Sequence, residues 1–177
     1  MESRKANRLQ ERDYSRHGYY FVTICTRNHT RCFGEVLDEK MRLNATGMIA
    51  QERWLAIPGH FPNTDIDEFI VMLNHIHGVL IIGGDNNSER DAYMRPLQSK
   101  RQNVDRSKMY LSKIIQGFKS SVTRNVRKRR GKNAFGWQRS FYDHVIRNEE
   151  NLNRIREYIR NNPLKWEFDR YNSAPRL

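Results

Sequence analysis

Glu68-Phe-Ile-Val-Met-Leu-Asn-His-Ile-His-Gly-Val-Leu-Ile-Ile82 is a run of 15 residues that is mostly apolar. At about twice the usual strand length, it reads as two strands broken near Leu73-Asn74. Upstream, Tyr19-Tyr-Phe-Val-Thr-Ile-Cys-Thr26 is dense in β-branched and aromatic residues and predicts another strand. Residues 32–37 and 41–43 flank Asp38-Glu-Lys40 as a small hairpin. Asn44 supplies an N-cap for a helix to about Ile57, ended by Pro58-Gly59.

Downstream, Gly83-Gly-Asp-Asn-Asn opens a polar connection to about Ser107. Leu111, Ile114, Ile115, Phe118, Val122 and Val126 then fall at helical spacing over residues 107–130, with Gly131 as a stop. Residues 140–146 read as a strand. Asn148-Glu-Glu150 is an N-cap with an acidic first turn for a last helix running to about Arg160, since Pro163 disfavours helical geometry at Asn162. Without the hairpin and the last helix the order is β-α-β-β-α-β. The expected class is α+β, a ferredoxin-like split βαβ antiparallel sheet with helices on one face and an extra C-terminal helix. The expected division is a basic arm over residues 1–16, one domain over 17–166 and a tail over 167–177 that either packs back on the sheet or stays loose.

The chain has 177 residues, 32 Lys and Arg against 20 Asp and Glu, and a formal net charge of +12. Such an excess points to a polyanionic partner. The 37% apolar and 11% aromatic content is enough to build a core, unlike a disordered basic tail. No run of 18 apolar residues occurs and residues 1–16 lack an apolar segment, so neither a secreted nor a membrane-spanning protein is expected. Cys25 and Cys32 are too few for a disulfide framework and read as reduced thiols in a cytoplasmic protein. Between Arg106 and Tyr142 stand eleven Lys or Arg and no acid, so nearly all of the excess lies in one segment.

On a strand, His75 and His77 project from the same face, close enough for both imidazoles to bind one metal ion. On the residues alone, the pair reads first as two core histidines hydrogen-bonded to neighbours. Tyr158 and Asn162 are four apart and share a face if the last helix persists. Tyr158 also lies at the edge of the Leu152, Ile155 and Ile159 stripe, where a packing role suffices.

Three separated motifs give these residues a context. His75-Ile-His77, then Trp137-Gln-Arg-Ser-Phe-Tyr-Asp-His-Val-Ile-Arg-Asn148, then Glu157-Tyr-Ile-Arg-Asn-Asn-Pro163 resemble the REP-associated tyrosine transposases, within the single-tyrosine HUH transposases and nucleases. The likeness spans residues 8–166. One departure is Met72-Leu73-Asn74, where such proteins often have Met-Pro-Asn. The resemblance implies a nuclease and strand transferase acting on single-stranded, hairpin-forming DNA of palindromic repeats. It implies Tyr158 as nucleophile, on the extra C-terminal helix. It implies His75, His77 and Asn162 as ligands of a divalent metal, Mg²⁺ or Mn²⁺. Asp143 and His144 stand beside this expected site, and Tyr142 is the next candidate nucleophile.

Lys113, Lys119, Arg124, Arg127, Lys128, Arg129 and Arg130 suit a phosphate-binding surface. A solvated helix face with no partner has the same composition. Tyr110, Trp137 and Phe141 are candidates for stacking on unpaired bases. The expected setting is the bacterial cytoplasm, at the nucleoid, as monomer or homodimer. Two other functions compete. One is a non-catalytic ferredoxin-like module that holds RNA or single-stranded DNA, although no strand matches an RNA-recognition motif. The other is a metal hydrolase with water as nucleophile, which would leave no covalent intermediate.

Overall fold

In the computed structural model, which describes residues 18–83, 110–131 and 135–172, the long apolar run breaks at Asn74. In chain order the elements are β1 (Gly18–Cys25), β2 (Gly34–Leu37), β3 (Lys40–Leu43), α1 (Ala45–Leu55), α2 (Ile57–His60), β4 (Thr64–Val71), β5 (His75–Ile82), α3 (Tyr110–Arg130), β6 (Tyr142–Ile146) and α4 (Glu149–Arg160). Four strands form one antiparallel sheet in the order β4-β5-β1-β6. This is the split βαβ arrangement, with β2 and β3 as a separate hairpin. Asp38 and Glu39 join the hairpin at φ of 50° and 59°, as a two-residue turn with both central residues left-handed requires.

The sheet is covered on both sides, and strand alternation sorts the residues. Tyr20, Val22, Ile24, Ile76, Leu80 and Val145 face α1 and α3, packing with Trp54, Leu111, Ile114, Phe118 and Val122. Tyr19, Phe21, Val79 and Ile146 face the other way, onto Leu152 and Ile159 of α4. The two helices of the β-α-β-β-α-β core therefore share one face, and the extra helix takes the other. Gly78 is required by the first face, because a Cβ there would lie 2.3 Å from the ring of the fully buried Trp54.

Local chemistry sets the boundaries. Asn44 caps α1, its Oδ1 accepting from the N–H groups of Thr46 and Gly47. Pro58-Gly59 does not stop the chain coiling as expected. A short second helix follows, with Pro58 in its first turn, where a missing N–H breaks no helical bond. β4 starts at Thr64, four residues before the apolar run, and a bulge between Ile66 and Phe69 accommodates the intervening polar residues. β6 starts at Tyr142 rather than Ser140, and just before it the Lys119 ammonium donates to the carbonyls of Gln138 and Ser140. Asn148 caps α4 by accepting from Asn151 N.

α4 is fastened to β4 through its polar side. Arg156 donates through Nε and Nη2 to the two carboxylate oxygens of Asp67, at 2.7 and 2.5 Å. Arg160 pairs with Glu68 at 2.6 Å. Beyond α4, Trp166 is buried against Met72 and Leu73. The segment to Asn172 thus packs back near the β4–β5 turn, where Asn74 Nδ2 donates to Tyr171 O. The basic arm, the polar connection from residue 84 and residues 107–109 of the expected helix lie outside the described residues. Among the described residues no helix is long and apolar enough to cross a membrane.

Candidate active site

His75 and His77 stand on β5 with their rings on the α4 face, 4.4 Å apart between centroids and both fully buried. Each ring is oriented through Nδ1. Asn74 Oδ1, 2.9 Å from His75 Nδ1, can only accept, so His75 carries its proton on Nδ1 and presents a bare Nε2. Asn74 is itself fixed, its Nδ2 donating to His29 O and Tyr171 O. His77 Nδ1 lies 2.8 Å from the Thr23 hydroxyl on the neighbouring strand. With Nδ1–H donating to Thr23, His77 Nε2 also points into the site as a lone pair.

Tyr158 arrives from α4, its hydroxyl 3.2 Å from His77 Nε2 and its ring edge-on to Phe21. The helix ends at Arg160, yet Asn162 N still reaches Ile159 O at 3.2 Å, so one tightened turn keeps Asn162 near Tyr158. Asn162 is buried and its Nδ2 donates to Asp169 Oδ2, while Oδ1 has no partner. His75 Nε2 is likewise buried without a partner. Ligand atoms of His75, His77 and Asp169 all lie within 4.8 Å of one another. Two orphaned buried lone pairs beside a carboxylate and a second imidazole are a donor set that fits a divalent cation.

The surroundings tune these groups consistently. Burial lowers the His75 pKa to about 4, and burial together with His75 pushes His77 below its ordinary value, so both are neutral imidazoles at pH 7. Burial and the Asp169 charge raise the Tyr158 phenol to about 12, with Arg170 acting in the opposite sense. Left alone, Tyr158 is a poor nucleophile at neutral pH and needs a nearby positive charge.

Sequence reasoning named His75, His77, Tyr158 and Asn162, and these four do converge. It missed Asp169, together with Thr23, Asn74, Arg170 and Tyr171 around it. The discoverable signal was Asp169-Arg170-Tyr171 itself, a charged and aromatic triplet after the last helix. Tyr142 lies on the same sheet face but on β6, opposite Thr23, with β1 between it and His77. Neighbouring strands are about 4.8 Å apart, so two strand spacings, roughly 10 Å, separate Tyr142 from the imidazoles. His144 is opposite Phe21 and exposed, and Asp143 points to the α1 and α3 face.

The basic residues of α3 stand apart from the imidazoles. Lys113, Arg124, Arg127, Lys128, Arg129 and Arg130 are exposed on α3, on the far side of the sheet from the imidazoles. Arg130 also donates to Thr46 Oγ1 at 3.2 Å. Lys119 is engaged by backbone carbonyls and lies 5.9 Å from the Phe141 ring centroid. Cys25 and Cys32 are free thiols, with burial raising their pKa values to about 11 and about 12.

No family model matches the chain. An uncharacterized protein of Haemophilus influenzae is 36% identical over 172 residues, covering 96% of this chain and 93% of that protein. Among solved structures, that of a REP-associated tyrosine transposase bound to a REP hairpin superposes with a TM-score of 0.58. The match covers 92% of this chain and 76% of the other at 19% identity, and the likeness is one of fold. The resemblance read from the three motifs is borne out at that level.

Proposed function

We propose that this chain, which belongs to one family with the Haemophilus influenzae protein and has the fold of a REP-associated tyrosine transposase, is itself such a transposase. In this reading it is a metal-dependent endonuclease that cleaves and rejoins single-stranded, hairpin-forming DNA through a 5′-phosphotyrosine. The observation that carries it is the meeting of the Tyr158 hydroxyl with His77 Nε2, beside the unpartnered His75 Nε2 and Asn162 Oδ1. A buried imidazole pair kept only for packing would have its lone pairs satisfied.

His75, His77 and Asn162, with Asp169 added, would hold Mg²⁺ or Mn²⁺. When bound, the ion supplies Lewis-acid polarisation of the scissile phosphate. Tyr158 is the nucleophile, 42% exposed and so open to a strand in solvent. Its attack leaves a 5′-phosphotyrosine and a free 3′-OH. Phosphodiester energy is retained, so a 3′-OH from another strand can reverse the step and join ends. The exposed cations of α3 bind phosphates of the folded DNA at a distance from the cut, and the protein works in the cytoplasm, at the nucleoid, as monomer or homodimer.

The test is to incubate labelled hairpin DNA bearing single-stranded flanks with the protein and Mg²⁺ or Mn²⁺, then denature. A covalent adduct is expected, absent from Tyr158→Phe and reduced at least about 100-fold in His77→Ala, in line with loss of a catalytic electrostatic group. Cleavage with no adduct would instead identify a hydrolase using water, and binding with neither would identify the non-catalytic module.

A further inference from the structure

Arg170 lies on the β6 side of the imidazole pair. Its guanidinium carbon is 4.7 Å from the centroid of the Tyr171 ring and 5.8 Å from that of Tyr142. Tyr171 in turn lies 4.6 Å from the His75 ring and 5.9 Å from the His77 ring. Tyr142 shares the face of His77, with Thr23 between them. One guanidinium N–H donates to the Tyr171 hydroxyl at 2.6 Å. The rings around it are neutral, and the neighbouring Asp169 carboxylate accepts from Asn162 Nδ2 and Tyr171 N instead, so most of the five guanidinium donors are unused.

Resting on the transposase reading, we propose that Arg170 is a second catalytic cation, which binds a non-bridging oxygen of the scissile phosphate and stabilises the charge that builds there during attack by Tyr158. Tyr158 Oη gives its electron pair to phosphorus and the phosphorus–O3′ bond breaks, its pair remaining on O3′. The phenolic proton passes to water and O3′ takes one from water, so charge and protons balance. Arg170 keeps all its protons and acts through fork-shaped hydrogen bonding that matches a phosphate. The Coulombic influence of Arg170 on the Tyr158 phenol is of the sign this role needs.

The test measures single-turnover adduct formation at saturating hairpin DNA and Mn²⁺ for the wild type, Arg170→Ala and Arg170→Lys. Arg170→Ala is expected to be slower by about 100-fold, the size typical of removing one preorganised donor, with Arg170→Lys in between and Mn²⁺ affinity not weakened in either. A substrate with a methylphosphonate at the cleavage position lacks the charged oxygen, and on it the wild type and Arg170→Ala should react alike. Equal rates on ordinary DNA would overturn the proposal, as would a deficit that persists undiminished on the methylphosphonate, which would mark Arg170 as structural. If the wild type forms no adduct at all, the transposase reading falls and this role with it. A wild-type adduct with an equally fast Arg170→Ala removes the role alone.

Discussion

His77 Nδ1 and Thr23 Oγ1 lie 2.8 Å apart, both buried, across the paired strands β5 and β1. Thr23 is a polar residue inside a strand that is otherwise apolar on this face, and its hydroxyl can accept from His77 Nδ1–H, an arrangement that leaves Nε2 as a lone pair toward the site. Partners of this kind typically contribute 10–100-fold in metal affinity. Thr23→Val keeps the shape and removes the acceptor, so Mn²⁺ affinity measured by titration calorimetry should fall by about that factor, with Thr23→Ser recovering most of it. An unchanged affinity in Thr23→Val would separate this hydroxyl from metal binding.

The metal-free protein should lose stability on acidification. His75 titrates near 4 when folded, against an ordinary 6.5. Between those values the unfolded chain holds the extra proton, so stability rises with pH through the window and is fully present above it. For His75 the difference is on the order of 3 kcal/mol, and His77 acts in the same direction. Thermal melts in a chelator should show Tm level above pH 7 and falling below about 6.5, more shallowly in His75→Gln. A Tm independent of pH over 4.5–7 would contradict the burial of neutral imidazoles.

Tyr158 is positioned from outside the site. Arg156 and Asp67 are 29% and 15% exposed, and their two-pronged contact holds α4 on the edge strand β4. Arg156→Ala should cost about 1–2 kcal/mol, more than an open surface pair, because it removes two charged donors from a largely buried carboxylate. Urea denaturation would measure that cost. At saturating DNA and Mn²⁺ adduct formation should slow, and Mn²⁺ affinity should fall with it, because Asn162 follows directly on α4 and Asp169 lies in the coil beyond. An unchanged adduct rate would show that this contact does not position Tyr158.

Charge on α3 should matter for binding and not for chemistry. Replacing Arg127, Lys128, Arg129 and Arg130 with Gln should weaken hairpin binding and flatten its salt dependence, by a slope of about 0.9 for each phosphate no longer neutralised. Fluorescence anisotropy across a salt series gives that slope. The saturated adduct rate should stay at the wild-type value, because the sheet stands between these cations and Tyr158. A slope unchanged by all four substitutions would remove this surface from DNA binding.

What the sequence made legible was local or periodic. The break at Asn74, the caps at Asn44 and Asn148, the apolar stripe of α3 and the projection of His75 beside His77 each follow from spacing or from one residue's own hydrogen bonding. What it hid depends on contacts between distant segments. Asp169 reaches the imidazoles because Trp166 buries itself on Met72 and Leu73 and because Asn74 ties down Tyr171, and no pattern within residues 164–172 announces either contact. The acid-free segment was countable from the sequence, but which side of the sheet it occupies is decided by strand order and crossover, so adjacency in the chain to both His77 and Tyr158 did not place it beside them. Pro58 misled for a simpler reason, since the same ring that breaks a helix interior is accommodated in a first turn.

The donor atoms of the candidate metal centre come from two stretches of chain, the start of β5 and the coil after α4. Any ion they share would be a reversible cross-link between the middle of the chain and its last described turn, closing a long loop that includes α3, β6 and α4. Occupancy and the anchoring of residues 163–172 would then be one equilibrium, so that the supply of free divalent metal would govern how firmly the helix carrying Tyr158 is moored as well as whether a reaction there could proceed.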